Sequence, residues 1–346
     1  MDYRPLGRTG LKVSPICLGG MMFGWWGENG PEETGKMIQR AVDSGVNFID
    51  TADVYAAGES EELIGRFLSE SGLRDEIVLA TKVHGQMGEG PNRGGNSRAW
   101  IMRAVEDSLR RLRTDRIDLY QIHRPDPSVD LDETLGALTD LVRAGKVRYI
   151  GCSTFPAHRV VESHWVAERR HRERFASEQP PYSILARAVE ADLLPVCQQY
   201  GMGVLAWSPL AGGWLSGRYR EGAELPQSRR AALLPARYDM ELEENRRKLA
   251  AAERLALLAE QAGMSLVELA LQFVMQHPAV TSAIIGPRTM DHLESHLRAL
   301  DVRLTPDVLD AIDVIVPPGL TINAADAGWR PPELLDPALR RRGQPR

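Results

Sequence analysis

Val46-Asn47-Phe48-Ile49-Asp50-Thr51-Ala52-Asp53-Val54-Tyr55 runs from an apolar stretch into an acid and, five positions on, a phenol. Branched and aromatic residues of this kind read as a short strand that ends where the ionisable side chains begin. The arrangement recurs. Ile77-Val78-Leu79-Ala80 leads to Thr81-Lys82, Ile117-Asp118-Leu119-Tyr120 leads to Gln121-Ile122-His123, and a later run closes on Gly151-Cys152-Ser153. If such strands lie parallel in one barrel, the groups at their ends collect on one rim, where barrel enzymes do their chemistry.

The rest of the chain keeps the rhythm. Candidate strands fall at 16–18, 46–50, 77–81, 117–122, 147–152, 175–178, 203–207 and 281–285, most rich in Val, Ile and Leu without polar alternation. Both faces of such strands are covered in a parallel sheet. Between them lie helical windows at Glu32–Ser44, Ser60–Ser69, Ser97–Arg113, Asp132–Ala144, Pro156–Arg169 and Leu185–Tyr200. In the third, Ile101, Val105, Leu109 and Leu112 share one face, and Ser97 suits an N-cap. Gly45, Gly145 and Gly201 precede strands, where a helix end calls for positive φ. Eight units with short connections predict a single (β/α)8 TIM barrel, an α/β fold, rather than an open sheet. The expected plan is one domain over 1–346 with the barrel at about 14–312. Residues 1–15 read as a β-hairpin plug turning at Gly7-Arg8-Thr9-Gly10, and 211–240 as an active-face insertion after the seventh strand. From Pro317 onward the proline-rich chain reads as an irregular tail.

At 346 residues, 43% hydrophobic, 26% charged and net charge −5, the composition is that of an ordinary globular protein. It carries no polyelectrolyte signal for nucleic acid or an anionic membrane. Cys17, Cys152 and Cys197 have no paired spacing, so a metal site is not expected and reduced thiols in a cytoplasmic protein fit better. Gly30-Pro31-Glu32-Glu33-Thr34-Gly35-Lys36 has P-loop spacing, but Met37 stands where a magnesium-binding hydroxyl belongs. It reads as a helix start.

The rim groups make sense together. A tyrosine titrates near 10 in water, so acid–base work near neutrality needs a cation beside it. Lys82 can supply that charge, Asp50 can hold the ammonium, and His123 can orient a carbonyl oxygen. A Schiff-base aldolase using Lys82 as nucleophile is the rival enzyme, although Asp50 would keep that lysine charged. A binding subunit that holds a cofactor without turnover is the rival from another class.

Phe48 to Tyr55 followed by Gly58-Glu59-Ser60-Glu61-Glu62 resembles the aldo-keto reductase signature. Thr81-Lys82, Ile122-His123-Arg124-Pro125-Asp126, Gly145 to Gly151 and Trp207-Ser208-Pro209-Leu210 are similar to further motifs of that family, in order, over about residues 3–310. The bacterial branch related to potassium-channel β-subunits is the nearest in pattern. The resemblance implies a barrel, a catalytic tetrad at Asp50, Tyr55, Lys82 and His123, and NADPH bound extended without a Rossmann domain. The implied reaction is hydride transfer between nicotinamide and a small aldehyde or ketone, with Tyr55 as general acid and base. The channel subunits carry Asn where this chain has His123, which favours an active reductase.

By the same resemblance Ser153 and Gln179 face the nicotinamide carboxamide and Trp207 stacks on its ring. Ser208, Pro209, Leu210, Gly212, Ser216 and Arg218 wrap the pyrophosphate, joined by Arg229. Gly286, Arg288, His292 and His296 fall in the adenosine segment. Arg288 is suited to fork onto a 2′-phosphate, hence NADP over NAD. Thr154, His292, Ser295 and His296 depart from the family's common residues. The expected substrate pocket is lined by Met22, Phe23, Trp25, Trp26, Val54, His84 and Trp214, with Trp329 from the tail, and its tryptophans suit an apolar or ring-shaped substrate. Nothing in the sequence decides between a monomer and a homo-oligomer.

Overall fold

The computed structural model describes residues 1–226 and 229–339. The first two strands, β1 (Arg4–Pro5) and β2 (Lys12–Val13), pair antiparallel with Arg4 opposite Val13. Eight more form the barrel: β3 (Ile16–Gly19), β4 (Phe48–Asp50), β5 (Val78–Val83), β6 (Ile117–Ile122), β7 (Val147–Ser153), β8 (Ser177–Gln179), β9 (Gly203–Trp207) and β10 (Val280–Ile285). All are parallel, and β10 closes onto β3. The eight expected strands are all present. The second starts two residues later than expected, and the sixth is shifted so that it ends on Gln179.

The hairpin is the barrel's floor. Leu6 and Val13 are fully buried with Cys17, Phe48, Val78, Ala80, Leu119, Leu205 and Ile284 in a cluster separate from the main core. Arg8 N–H donates to Gly201 O at 2.9 Å, and a Cβ on Gly7 would lie 2.5 Å from that same oxygen. Only glycine tolerates this approach at φ +57°.

Period two then decides what faces the lumen. Phe48, Ala80, Leu119 and Leu205 belong to the inner cluster, whereas Ile49, Leu79, Tyr120 and Val204 belong to the outer core under the helices. Two residues on from each inner position stand Asp50, Lys82, Gln121 and Trp207. The same step from Gln121 reaches His123.

The outer layer comprises α1 (Pro31–Asp43), α2 (Glu59–Ser71), α3 (Arg98–Arg111), α4 (Leu131–Arg143), α5 (Ala157–Arg170), α6 (Leu193–Tyr200), a short α7 (Arg229–Leu233), α8 (Glu243–Gln261), α9 (Leu266–Gln276), α10 (Met290–Arg298), α11 (Pro306–Ile315) and a short α12 (Pro332–Leu335). Ser97 caps α3 by accepting from Trp100 N–H, and Ile101, Val105, Leu109 and Leu112 are buried as their spacing predicts. Gly45, Gly145 and Gly201 all have positive φ. The P-loop look-alike is indeed a helix start, with Pro31 opening α1.

The window at Leu185–Tyr200 overshoots. Its helix begins only at Leu193, because the residues before it are committed to the tail. Ala186 bridges Thr321, Leu185 O accepts from Ile322 N–H, and Arg187 bonds Glu190, Asp313 and Val316 O. The tail is therefore docked at Thr321 and Ile322, and residues 340–346 of that expectation lie outside the described residues. Residues 227–228 of the 211–240 insertion also lie outside them. No single described helix is long and apolar enough to cross a membrane.

Candidate active site

Lys82 Nζ is the hub. Fully buried on β5, it donates to Asp50 Oδ2 at 2.5 Å, Thr51 O at 2.8 Å and Tyr55 Oη at 3.3 Å. Burial by itself would push this ammonium down, but Asp50 and Tyr55 outweigh it and raise the pKa above that of an ordinary lysine. Asp50 is held in turn: Gln121 Nε2 and Gln179 Nε2 each donate to Oδ1 at 2.9 Å. Gln179 also reaches Gln121 Oε1 at 3.1 Å. A buried ion pair is worth having only when its remaining lone pairs are satisfied, and here they are.

Tyr55 reaches the hub through a strained turn. Ala56 and Ala57 take left-handed backbone (φ 49° and 56°) before Gly58 at φ 103°. Non-glycine residues in this region cost about 1–3 kcal/mol each and persist where the surroundings demand them. His123 meets Tyr55 edge-on, with ring centroids 5.7 Å apart at 81°. Burial, followed by the charges of Lys82, Arg124 and His84, holds the His123 pKa well below the usual imidazole range. The imidazole is neutral near pH 7 and can donate a hydrogen bond without carrying charge.

The four expected rim residues are thus brought together. Gln121 was not among them, although it lies two residues before His123 on the lumen face and its amide completes the Asp50 shell.

The expected cofactor residues occupy one sector of the same rim. Ser153 Oγ donates to Gln179 O at 2.8 Å, and Thr154 N–H donates to the same oxygen. Ser153 Oγ and Gln179 Oε1 remain able to accept, which suits a carboxamide NH2. Trp207 is part-buried at the end of β9, and its indole N–H has no partner among the described residues. Beyond it Ser208, Ala211, Gly212 and Gly213 all have positive φ, curling the loop tightly after Pro209 and Leu210. A Cβ on Gly212 would lie 2.5 Å from Tyr238 Oη. Arg218 is exposed and donates to Ser216 Oγ at 3.3 Å. The charges of Arg218 and Arg288 both lower the pKa of His292, after burial, so three basic side chains share one patch. Such a patch fits a phosphorylated dinucleotide. Gly286 faces Met22, its closest neighbour across the rim. His296 is buried with Nδ1 unpartnered, whereas His292, a turn earlier, is exposed.

Three expected residues stand elsewhere than expected. Trp214 does not line a pocket: it is 0% exposed, stacked on Tyr219 at 4.3 Å and Tyr238 at 5.9 Å, with Lys248 Nζ 4.6 Å from its ring centroid and its indole N–H donating to Arg237 O. It is the core of the insertion. Phe23 is likewise fully buried. Arg229 is engaged elsewhere than the pyrophosphate loop, over Trp25 and Trp26 at 5.0 and 5.3 Å with Nη1 donating to Trp25 O. Of those tryptophans Trp25 is exposed and Trp26 part-buried, Met22 and Val54 are part-buried, and His84 Nδ1 lies 2.9 Å from Asn96 Oδ1.

The tail also reaches this rim, through Gly328, the residue before the expected Trp329. A Cβ on Gly328 would lie 2.9 Å from both Trp207 and Thr154. Asp326 anchors this segment with one oxygen on Arg237 at 2.5 Å and the other on Lys248 at 2.8 Å.

Comparison with known proteins agrees with this geometry. The profile of the aldo/keto reductase family matches residues 15–317. An uncharacterized oxidoreductase of Bacillus subtilis, YrpG, is 39% identical over 92% of this chain and 96% of its own length. A putative voltage-gated potassium channel subunit beta of Schizosaccharomyces pombe is 35% identical over 91% and 93%. Versiconal hemiacetal acetate reductase of Aspergillus parasiticus is 32% identical over 90% and 96%. A closed barrel with these groups on its rim, matched along nearly its whole length, places the chain in the aldo/keto reductase family of oxidoreductases.

Proposed function

We propose that this protein is an NADPH-dependent carbonyl reductase acting on small aldehydes or ketones. The observation that carries the reading is the single ammonium of Lys82 bonded at once to Asp50 and to Tyr55 Oη, beside a neutral His123. Tyr55 Oη and the His123 ring bind the carbonyl oxygen and polarise it. When bound, the nicotinamide supplies hydride to the carbonyl carbon. Tyr55 gives its proton to the oxygen as negative charge develops there, and Lys82 stabilises the phenolate left behind. Asp50 keeps Lys82 charged, while Gln121 and Gln179 hold Asp50. Acid–base assistance of this kind contributes roughly 10²–10⁴ in rate.

Ser153, Gln179 and Trp207 are the residues proposed to hold the nicotinamide. Loop 208–218 would hold the pyrophosphate, and Arg288 with His292 the adenosine end. The likeness to channel β-subunits supports one alternative, a subunit that binds cofactor and turns it over poorly. Absorbance at the NADPH band, followed over aromatic aldehydes, dicarbonyls and cyclic ketones with NADH in parallel, separates the two. Turnover that disappears in Tyr55→Phe while NADPH still quenches tryptophan fluorescence supports the reductase. Tight binding with no turnover on any substrate supports the subunit.

A further inference from the structure

One cation on the rim is not used by the chemistry above. Arg124 directly follows His123, and its guanidinium lies 5.9 Å from the Trp207 ring centroid. Among the described residues the guanidinium makes one hydrogen bond, from Nη1 to His123 O at 2.6 Å. Among the described residues it has no carboxylate partner within ion-pair distance, although it is part-buried. Asn96 pins its backbone, donating from Nδ2 to Arg124 O at 2.9 Å. The backbone is therefore fixed while, among the described residues, most of the guanidinium's five donors have no partner. The nearby acid, Glu178, forms no ion pair with it among the described residues, although each charge favours the other. That carboxyl points away from the lumen, accepts from Phe155 N–H at 3.1 Å, and burial pushes its pKa up to about 8. Lys82, by contrast, is matched by Asp50.

A part-buried guanidinium without a counter-ion is costly unless an anion arrives, and the fork of Arg fits a carboxylate bidentately. Resting on the reductase reading, we propose that Arg124 is a specificity-determining residue that binds the carboxylate of an acidic aldehyde or ketone while Tyr55 and His123 hold its carbonyl oxygen. The substrate class is then oxo acids rather than neutral carbonyl compounds. Trp207 forms one wall of the anion's seat, and Gly328 of the tail packs against that wall.

The test compares acids with their own methyl esters: phenylglyoxylate, 3-carboxybenzaldehyde and 4-carboxybenzaldehyde, which place the carboxylate at graded distances from the carbonyl. The expected result is a higher kcat/KM for at least one acid than for its ester, carried by KM and weakened by salt. Arg124→Gln should lower that acid-to-ester ratio about 10- to 150-fold, the range of a hydrogen bond to a charged group, and Arg124→Lys should restore part of it. Wild-type protein that treats every acid and ester alike overturns the proposal, as does an Arg124→Gln ratio equal to wild type. Turnover of the esters is scored separately: if the esters are reduced but no acid is preferred, the reductase reading stands and only the role of Arg124 falls.

Discussion

Replacing Lys82 with Met probes the centre of the mechanism. Its Nζ lies 3.3 Å from Tyr55 Oη. At an effective dielectric near 20, a full charge at that distance stabilises a phenolate by about 5 kcal/mol. Asp50, 2.5 Å from the same nitrogen, offsets part of this, so the expected fall in kcat is about 10²–10⁴. The single variant leaves the Asp50 carboxylate buried without its cation, which typically costs 3–5 kcal/mol. The informative protein is therefore the charge-neutral pair Asp50→Asn with Lys82→Met, checked for folding by thermal melting. NADPH affinity from fluorescence quenching should stay within a few-fold of wild type while single-turnover reduction collapses. A double variant that folds and keeps kcat within tenfold of wild type would refute the reasoning. Borohydride trapping of wild type with a carbonyl substrate should leave Lys82 unmodified; a trapped adduct there would favour the aldolase instead.

Arg288→Ala should raise the NADPH KM about 10- to 100-fold, as expected when a charge-assisted contact to a 2′-phosphate is lost, and should leave NADH kinetics nearly unmoved; steady-state kinetics with both cofactors check this, and equal changes would remove Arg288 from cofactor selection. Asp326→Ala strands Lys248, 0% exposed, and should cost about 3–5 kcal/mol. With about 2.1 cal/mol/K per residue over 346 residues, Tm should drop by about 4–7 °C in calorimetry; a shift under about 1 °C would mean that the tail is not latched there. His296 is held at about 4 by burial, below the ordinary 6.5. The unfolded chain therefore takes up a proton first, and the stability this neutral imidazole contributes is complete above pH 6.5 and is lost as pH falls toward 4. His296→Phe should flatten that part of the stability profile by about 3 kcal/mol at most, read by denaturant titration from pH 7 to 4.

What could be read from the chain follows the range over which each signal acts. Strand positions were legible because continuous runs of Val, Ile and Leu are a local signal, and Asp50, Lys82 and His123 because each stands at the end of such a run, where period two and closure of the barrel turn them toward one shared site. Gln121 obeys the same period, but nothing within its own strand says that its amide will meet a carboxylate 71 positions away. Trp214 read as a pocket residue among the other tryptophans of the active-face loops. Its burial depends on Tyr219, Tyr238 and Lys248 stacking from later in the chain. Arg229 read as a companion of the pyrophosphate loop through the family resemblance. The fold carries it instead to Trp25 and Trp26, more than 200 positions earlier. The tail's prolines spoke only against regular structure, while its docking rests on Asp326 finding a buried Lys248 and Arg237, and on Thr321 bridging Ala186. The sequence by itself therefore determined the barrel, its rim and the types of group gathered there, since those rest on short apolar runs and the residues that directly follow them. Only the tertiary structure decided which cations are neutralised and which is left open, because charge pairing depends on distances between segments that lie far apart along the chain.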